Sequence, residues 1–312
     1  MRILIFGAGV LGCNMAHNFY KAGKDVTLLA RGKWAESIKE KGLVIKNKFS
    51  LKPSCDHIAV IEELKKEDAY DVIFICLRYT QLPSIMETIK NNVSKNIVFI
   101  GNNMNAEKIA KELEGKNVMF GFSSSAGHRE ANRVMSVDLK KVTIGDLKTG
   151  NSHEDFIKEI FQGTKYRVFY ESNMGDYLIS HAAYVIPMAF ACYYTDGDLK
   201  KIKNDKSFTL KVINACAECY EAVEKLGHCL LPKGEEEYRT PKYRKTMYRF
   251  CKLIFSTNLG KICVSDHAMN ATDEMGGLAE ELVKMIQEAV EKLGHCLLPK
   301  GEEEYRTPKY RK

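Results

Sequence analysis

Gly7-Ala8-Gly9-Val10-Leu11-Gly12 is the stretch whose residue types and spacing carry the clearest chemistry. It follows the apolar run Ile3-Leu4-Ile5-Phe6 directly and opens a segment in which Leu11, Met15 and Phe19 recur at helical spacing. In such a strand–turn–helix the first glycine permits a tight turn and the second lets backbone approach a pyrophosphate. The third lets helix and strand pack closely, while amides at the helix start face the phosphates. Gly7, Ala8, Gly9, Val10, Leu11 and Gly12 are therefore expected to bind a dinucleotide, against the alternative of a glycine-rich turn in a flavodoxin-like sheet. The next apolar run ends in Leu29-Ala30-Arg31-Gly32-Lys33, without the acidic residue that an NAD site uses on the ribose 2′-hydroxyl. Arg31 can grip a 2′-phosphate with two N–H donors, and Lys33 adds charge. NADP(H) is expected over NAD(H); the alternative for Arg31 is a solvated surface residue.

The elements that must position these groups alternate along the first half. Asp25 to Ala30, Asp71 to Leu77 and Asn96 to Ile100 read as buried strands, with Val118 to Gly121 and Val142 to Ile144 as shorter ones. Helical patterns lie between them, which implies a parallel sheet covered on both faces. Beyond about residue 170 the pattern turns helical, with long helices expected over Tyr177 to Tyr194, Phe208 to Leu226, Met247 to Cys263 and Met275 to Leu293. The expected fold is α/β: a Rossmann doubly wound parallel sheet over residues 1–169, followed by an all-helical substrate and dimerisation domain over 170–312.

Composition supports this reading. With 45% hydrophobic and 28% charged residues in 312, the chain can bury two cores, which excludes wholesale disorder. Its net charge of +7 is spread out, which favours small anionic ligands over nucleic acid. Ten cysteines scattered through apolar stretches read as reduced thiols, and no signal peptide or membrane span is visible, so a cytoplasmic chain is expected. Glu221 to Lys245 recurs letter for letter as Glu288 to Lys312. Perfect identity in two copies reads as a recent duplication or an assembly scar, because structural repeats drift and stack in threes or more. The first copy, lying between helices, is expected to be the integral one.

With these residues in view, the chain resembles the ketopantoate reductase (2-dehydropantoate 2-reductase) family over nearly its whole length. The resemblance rests on GAGVLG, on Arg31, on the segment DVIFICLRYTQ and on NIVFIGNNMNAEKI. It implies that Arg78 and Gln81 occupy the places of a family Lys and Gln that serve the cofactor. It also implies that Asn103 matches the family Asn that reaches nicotinamide and substrate, with Met104 in place of a glycine. The family protonates the nascent alkoxide from a Lys on the first helix of its second domain, and that Lys is absent here. Matching from Asn173 puts His181 at its position, and matching back from Pro187 puts Leu178 there. Asn residues expected on the same helix are also missing. The chain resembles a divergent branch whose helix carries a His, an apolar run and Pro, as His181 to Pro187 does. His181 is expected as the acid, with a pKa near neutrality, or else as a hydrogen-bonded core histidine. Glu274 sits where the family's substrate-binding and ribose-binding Glu belongs, Ser265 at the place of a substrate-binding Ser, and His267 between them as a further polar group or a surface residue.

These assignments imply NADPH-dependent reduction of a small 2-oxo acid, with 2-dehydropantoate going to pantoate as the leading reaction. Catalytic roles fall to His181, Asn103 and Glu274, and substrate binding to Asn103, Ser265 and Glu274. Another 2-oxo acid, an imine, or a non-catalytic NADPH sensor are the alternatives. No metal, nucleic-acid or membrane partner is expected, and a homodimer is left open. Cys216-Ala217-Glu218-Cys219 falls on the apolar stripe of a helix and reads as buried thiols rather than zinc ligands. Tyr238 to Tyr248 reads as solvated surface between helices.

Overall fold

The computed structural model describes residues 1–48, 50–147 and 152–292. The first part runs β1 (Arg2–Phe6), α1 (Val10–Lys21), β2 (Asp25–Leu29), α2 (Gly32–Lys41), β3 (Leu43–Asn47), β4 (Ser54–Asp56), β5 (Ala59–Ile61) and β6 (Val72–Ile75). A 3-10 helix (Tyr79–Ser84) follows, then α3 (Met86–Asn91), β7 (Asn96–Ile100), α4 (Ala106–Glu112), β8 (Asn117–Arg129), β9 (Val134–Gly145), α5 (Glu154–Phe161) and β10 (Arg167–Glu171). All ten strands join one sheet in the order β4-β3-β9-β8-β7-β6-β1-β2-β5, with β10 on β9. Pairing is parallel except for β3 with β4 and β8 with β9.

Pleating divides the apolar strands between two faces. Ile3 and Ile5 point to a core with Phe19 of α1, Trp34 of α2 and Phe161 of α5. Leu4 and Phe6 point to the other face, among Ile89, Ile109 and Leu178. The strands expected at Val118 to Gly121 and Val142 to Ile144 are the hearts of a hairpin with strands of 13 and 12 residues. They extend through Ser123 to Ser125 and Gly127, with an irregularity between Ser123 and Ser125, so the apolar run marks only their buried middle. The edge strand β4 is held by Asp56, fully buried, which accepts from His17 Nδ1 at 2.6 Å and pairs with Lys21 Nζ at 2.9 Å, both on α1.

The second part is helical: α6 (Met174–Tyr194), α7 (Leu199–Asn204), α8 (Lys206–Lys225), a 3-10 helix (Glu235–Arg239) and α9 (Pro241–Ile254). α10 (Asn258–Gly260), a π-helical turn (Lys261–Asp266), α11 (His267–Met269) and α12 (Thr272–Lys292) complete it. The single helix expected over Met247 to Cys263 is a break instead. Ser256 and Thr257 hydroxyls bond back to the Lys252 and Ile254 carbonyls, and Thr257 caps a new helix by accepting from Gly260 N. Gly260 is what allows the fold-back, since a Cβ there would lie 2.0 Å from Ile254 O. The first copy of the 25-residue repeat is built into this core, with Val223, Leu230 and Tyr238 buried. Of the second copy, residues 288–292 continue α12, and residues 293–312 lie outside the described residues. Among the described residues no helix is long and apolar enough to cross a membrane.

Candidate active site

The chain runs from β1 to β2 and β5 on one side, then returns to β6 on the other. The crevice beyond the carboxyl ends of β1 and β6 is thus a topological switch point, where open α/β sheets bind ligands. The glycine turn sits there. Gly7 has φ +118°, and a Cβ on it would lie 2.6 Å from Cys76 O at the end of β6. A Cβ on Gly12 would lie 1.9 Å from Gly7 O, so strand and helix meet through that glycine. Gly9 is exposed, and a Cβ there would meet nothing within 4 Å. It N-caps α1 without a side-chain cap, and the first turn holds no acid. Val10 and Leu11 are half-buried behind it, and Ala8 O accepts from Trp34 Nε1 at 3.0 Å. An open approach to uncapped amides with no carboxylate nearby fits a dinucleotide pyrophosphate.

Arg31 N-caps α2 with Lys33 beside it, both exposed and neither in an ion pair among the described residues. The acid nearest this point lies one strand over and is already paired. Glu62, after β5, is held by Lys39 Nζ at 2.7 Å and by the Gly32 amide, and Lys39 keeps its carboxyl below the usual range. Arg129 of β8 lies over the Trp34 ring, 5.4 Å from its centroid. None of Glu62, Trp34 and Arg129 is marked by local spacing; only the sheet order brings them to this crevice.

The second set of groups collects at the ends of β6 and β7, where α12 begins. Glu274 is buried, and Asn102 Nδ2 donates to its Oε1 at 3.2 Å across the two parts of the chain. Burial pushes the Glu274 carboxyl above the usual range despite that bond and the nearby Arg78. Asn103, the residue expected here, lies beside it: its Oδ1 accepts from Asn105 N at 2.8 Å, and its Nδ2 is buried without a partner. Asn102 was not singled out by the sequence, because the spacing of two adjacent asparagines does not say which one meets a partner from the far end of the chain. Arg78 spans the junction, with Nη1 to Asp273 Oδ1 at 3.1 Å and Nη2 donating to Asn270 O at 2.7 Å. Gln81 is spent locally, its Oε1 accepting from Arg78 N at 3.1 Å. Ser265, within the π turn, donates to Gly197 O at 2.6 Å and ties that turn to the loop between α6 and α7.

His181 faces the sheet from α6, its ring 4.1 Å from the Phe122 ring of β8. Burial, helped by the neighbouring His267, pushes its pKa down to about 4, so the near-neutral value expected from the sequence does not hold. His267 is lowered by its own burial and by Arg78. Leu178, the other match for the family Lys, is buried in the core beneath the sheet. The chain of influence therefore runs His181, His267, Arg78, Glu274. Cys216 and Cys219 lie on α8, the first buried and the second half-buried, and burial raises both thiols, the second to about 11. A cavity of about 480 Å³ near Met1, Tyr70 and Asn96 opens at the opposite ends of the strands, away from these groups.

Residues 3–149 match the ketopantoate reductase PanE/ApbA family. A 2-dehydropantoate 2-reductase of Lactococcus lactis subsp. lactis (strain IL1403) is 26% identical over 194 residues, covering 53% of this chain. The chain thus spans about half the length of that curated relative, 56%. The structure is similar to 2-dehydropantoate 2-reductase from Geobacter metallireducens GS-15, with TM-score 0.69, 16% identity and coverage of 93% of this chain and 100% of the other. It is also similar to D-mandelate dehydrogenase in complex with NADH, with TM-score 0.71, 15% identity and coverage of 95% and 94%. The glycine turn at the switch point lies within the stretch that carries the likeness: residues 3–149 are similar to the ketopantoate reductase PanE/ApbA family, and the fold of the whole chain is similar to that of the solved reductases.

Proposed function

We propose that the chain is an NADPH-dependent reductase of a small 2-oxo acid, with 2-dehydropantoate as the first substrate to test. The observation that carries this is the buried Asn102–Glu274 pair, joining the end of β7 to the start of α12 beside the glycine crevice. The bound nicotinamide nucleotide supplies the hydride. Gly7 to Gly12 hold its pyrophosphate, and Arg31 with Lys33 favours a 2′-phosphate. Asn102, with Asn103 behind it, orients the substrate carbonyl.

Proton delivery falls to Glu274. A neutral His181 would have to become an imidazolate to give up its ring proton, which is far too costly near neutral pH. A carboxyl raised by burial is protonated in a larger fraction of molecules and lies closer to the working range. His181 then donates a hydrogen bond to the developing alkoxide without losing its proton.

Initial rates of NADPH oxidation with 2-dehydropantoate, and with NADH as control, test the reading. We expect NADPH-selective turnover whose kcat falls as pH rises past the Glu274 pKa. Glu274→Gln should lower kcat by about 10²-fold or more, while Asn102→Ala lowers kcat/KM. NADPH binding without turnover of any 2-oxo acid or cyclic imine would leave a sensor in its place. The absence from α6 of the Lys and Asn residues that the family resemblance implies favours a different 2-oxo acid as the second reading.

A further inference from the structure

A cavity of about 320 Å³ lies between α6, α9 and the segment Leu231 to Glu235, with His181 in its wall. It is lined by Tyr177, Tyr184, Tyr220, Tyr243 and Phe250, with Glu235 among them. Tyr220 and Tyr243 both donate their hydroxyls to the same oxygen, Glu235 Oε2, at 3.0 and 2.7 Å. The carboxylate is half-buried, and among the described residues no Lys, Arg or His forms an ion pair with it. A charge removed from water normally has a counter-charge. A carboxylate in a pocket lined by aromatic rings suits an ammonium or guanidinium group, which both the carboxylate and the ring faces can attract. Burial and Glu235 raise the Tyr243 phenol, which keeps it a neutral donor to the carboxylate.

We propose that this cavity binds an organic cation, an alkylammonium or guanidinium group. The cation is either the far end of the 2-oxo acid substrate or a free amine. The first source rests on the reductase reading above; the second does not. His181 is the shared wall: it lines the cavity, and its ring also lies 4.1 Å from the Phe122 ring of the sheet. A substrate carrying a cationic tail would thus have its reacting end turned toward the crevice.

Calorimetric titration with tetramethylammonium, against neopentyl alcohol as a neutral analogue of similar size, tests the cavity directly. Glu235→Gln keeps the shape and an oxygen acceptor for the tyrosine hydroxyls while removing the charge. We expect the wild type to bind the cation and the variant to bind it at least tenfold more weakly. NADPH oxidation with a 2-oxo acid ending in trimethylammonium, against its tert-butyl isostere, tests the source. A kcat/KM at least tenfold higher for the cation, lost in Glu235→Gln, identifies the substrate's tail. Glu235-dependent tetramethylammonium binding with no such preference identifies a free amine. No turnover of any 2-oxo acid with that binding intact overturns the reductase reading and keeps the cavity. Turnover without tetramethylammonium binding, or with no effect of Glu235→Gln on it, overturns the cavity and keeps the reductase.

Discussion

His181 has a cost attached to its position. Its pKa falls from 6.5 to about 4 on folding, mainly because burial disfavours the imidazolium. The unfolded chain therefore binds a proton more readily than the folded one between those two values. The sign follows: His181 leaves stability intact above about pH 6.5 and withdraws it as pH falls toward 4, by about 3 kcal/mol. Urea unfolding at pH 7 and pH 4.5 should show this loss in the wild type, reduced in His181→Gln. An equal loss in both would mean that the group is solvated. At this scale the sequence was informative about residue types and silent about direction. Glu274 and His181 were legible as candidates, yet neither the raised carboxyl nor the lowered imidazole could be read. Both depend on neighbours that arrive from α12, α11 and β8.

At the scale of the element, the turn between β1 and α1 packs strand to helix through Gly12 and leaves Gly9 open, so substitutions at the two test different things. Gly12→Ala would push a methyl to within 1.9 Å of Gly7 O, so it should lower stability by about 1–3 kcal/mol or more and shift Tm downward. Gly9→Ala meets nothing within 4 Å and should leave Tm nearly unchanged while weakening NADPH binding at least tenfold. Unchanged NADPH affinity in Gly9→Ala would remove the pyrophosphate from this turn. The turn was readable because its chemistry is local: strand, glycines and helix follow one another in the chain. β3, β4, β5 and β10 were not singled out, being short and only partly apolar. The break at Ser256 and Thr257 was hidden by apolar residues on both sides, since hydroxyl back-bonding leaves no trace in hydrophobic periodicity.

The whole molecule turns on the junction held by Arg78. Its guanidinium is committed to Asp273 and to Asn270 O, and Thr80 Oγ1 lies 3.4 Å from the other Asp273 oxygen. An exposed pair of this kind stabilises little, but it fixes where α12 starts and so where Glu274 stands. Arg78→Ala should lower kcat while NADPH affinity changes by less than about threefold, and Tm should move little. A large loss of NADPH affinity with kcat preserved would return Arg78 to the cofactor, as the family resemblance had it. The two-part architecture was legible from the change in periodicity near residue 170. The junction was not, because it pairs residues nearly two hundred positions apart.

The sheet order also sets a timetable. The strands β1, β2, β5 and β6 are all made by residue 75 and can pair as soon as they leave the ribosome. β3 can pair with β4 but not with its sheet neighbour β9, which begins at Val134. During synthesis the β3–β4 hairpin therefore waits through many residues with one edge unpaired, the condition in which strands recruit wrong partners. The His17 and Lys21 contacts to Asp56 offer a local mooring on α1 while it waits. A single buried carboxylate on a three-residue strand thereby acts on the order of assembly, keeping an early strand beside its helix until the long hairpin arrives to cover it.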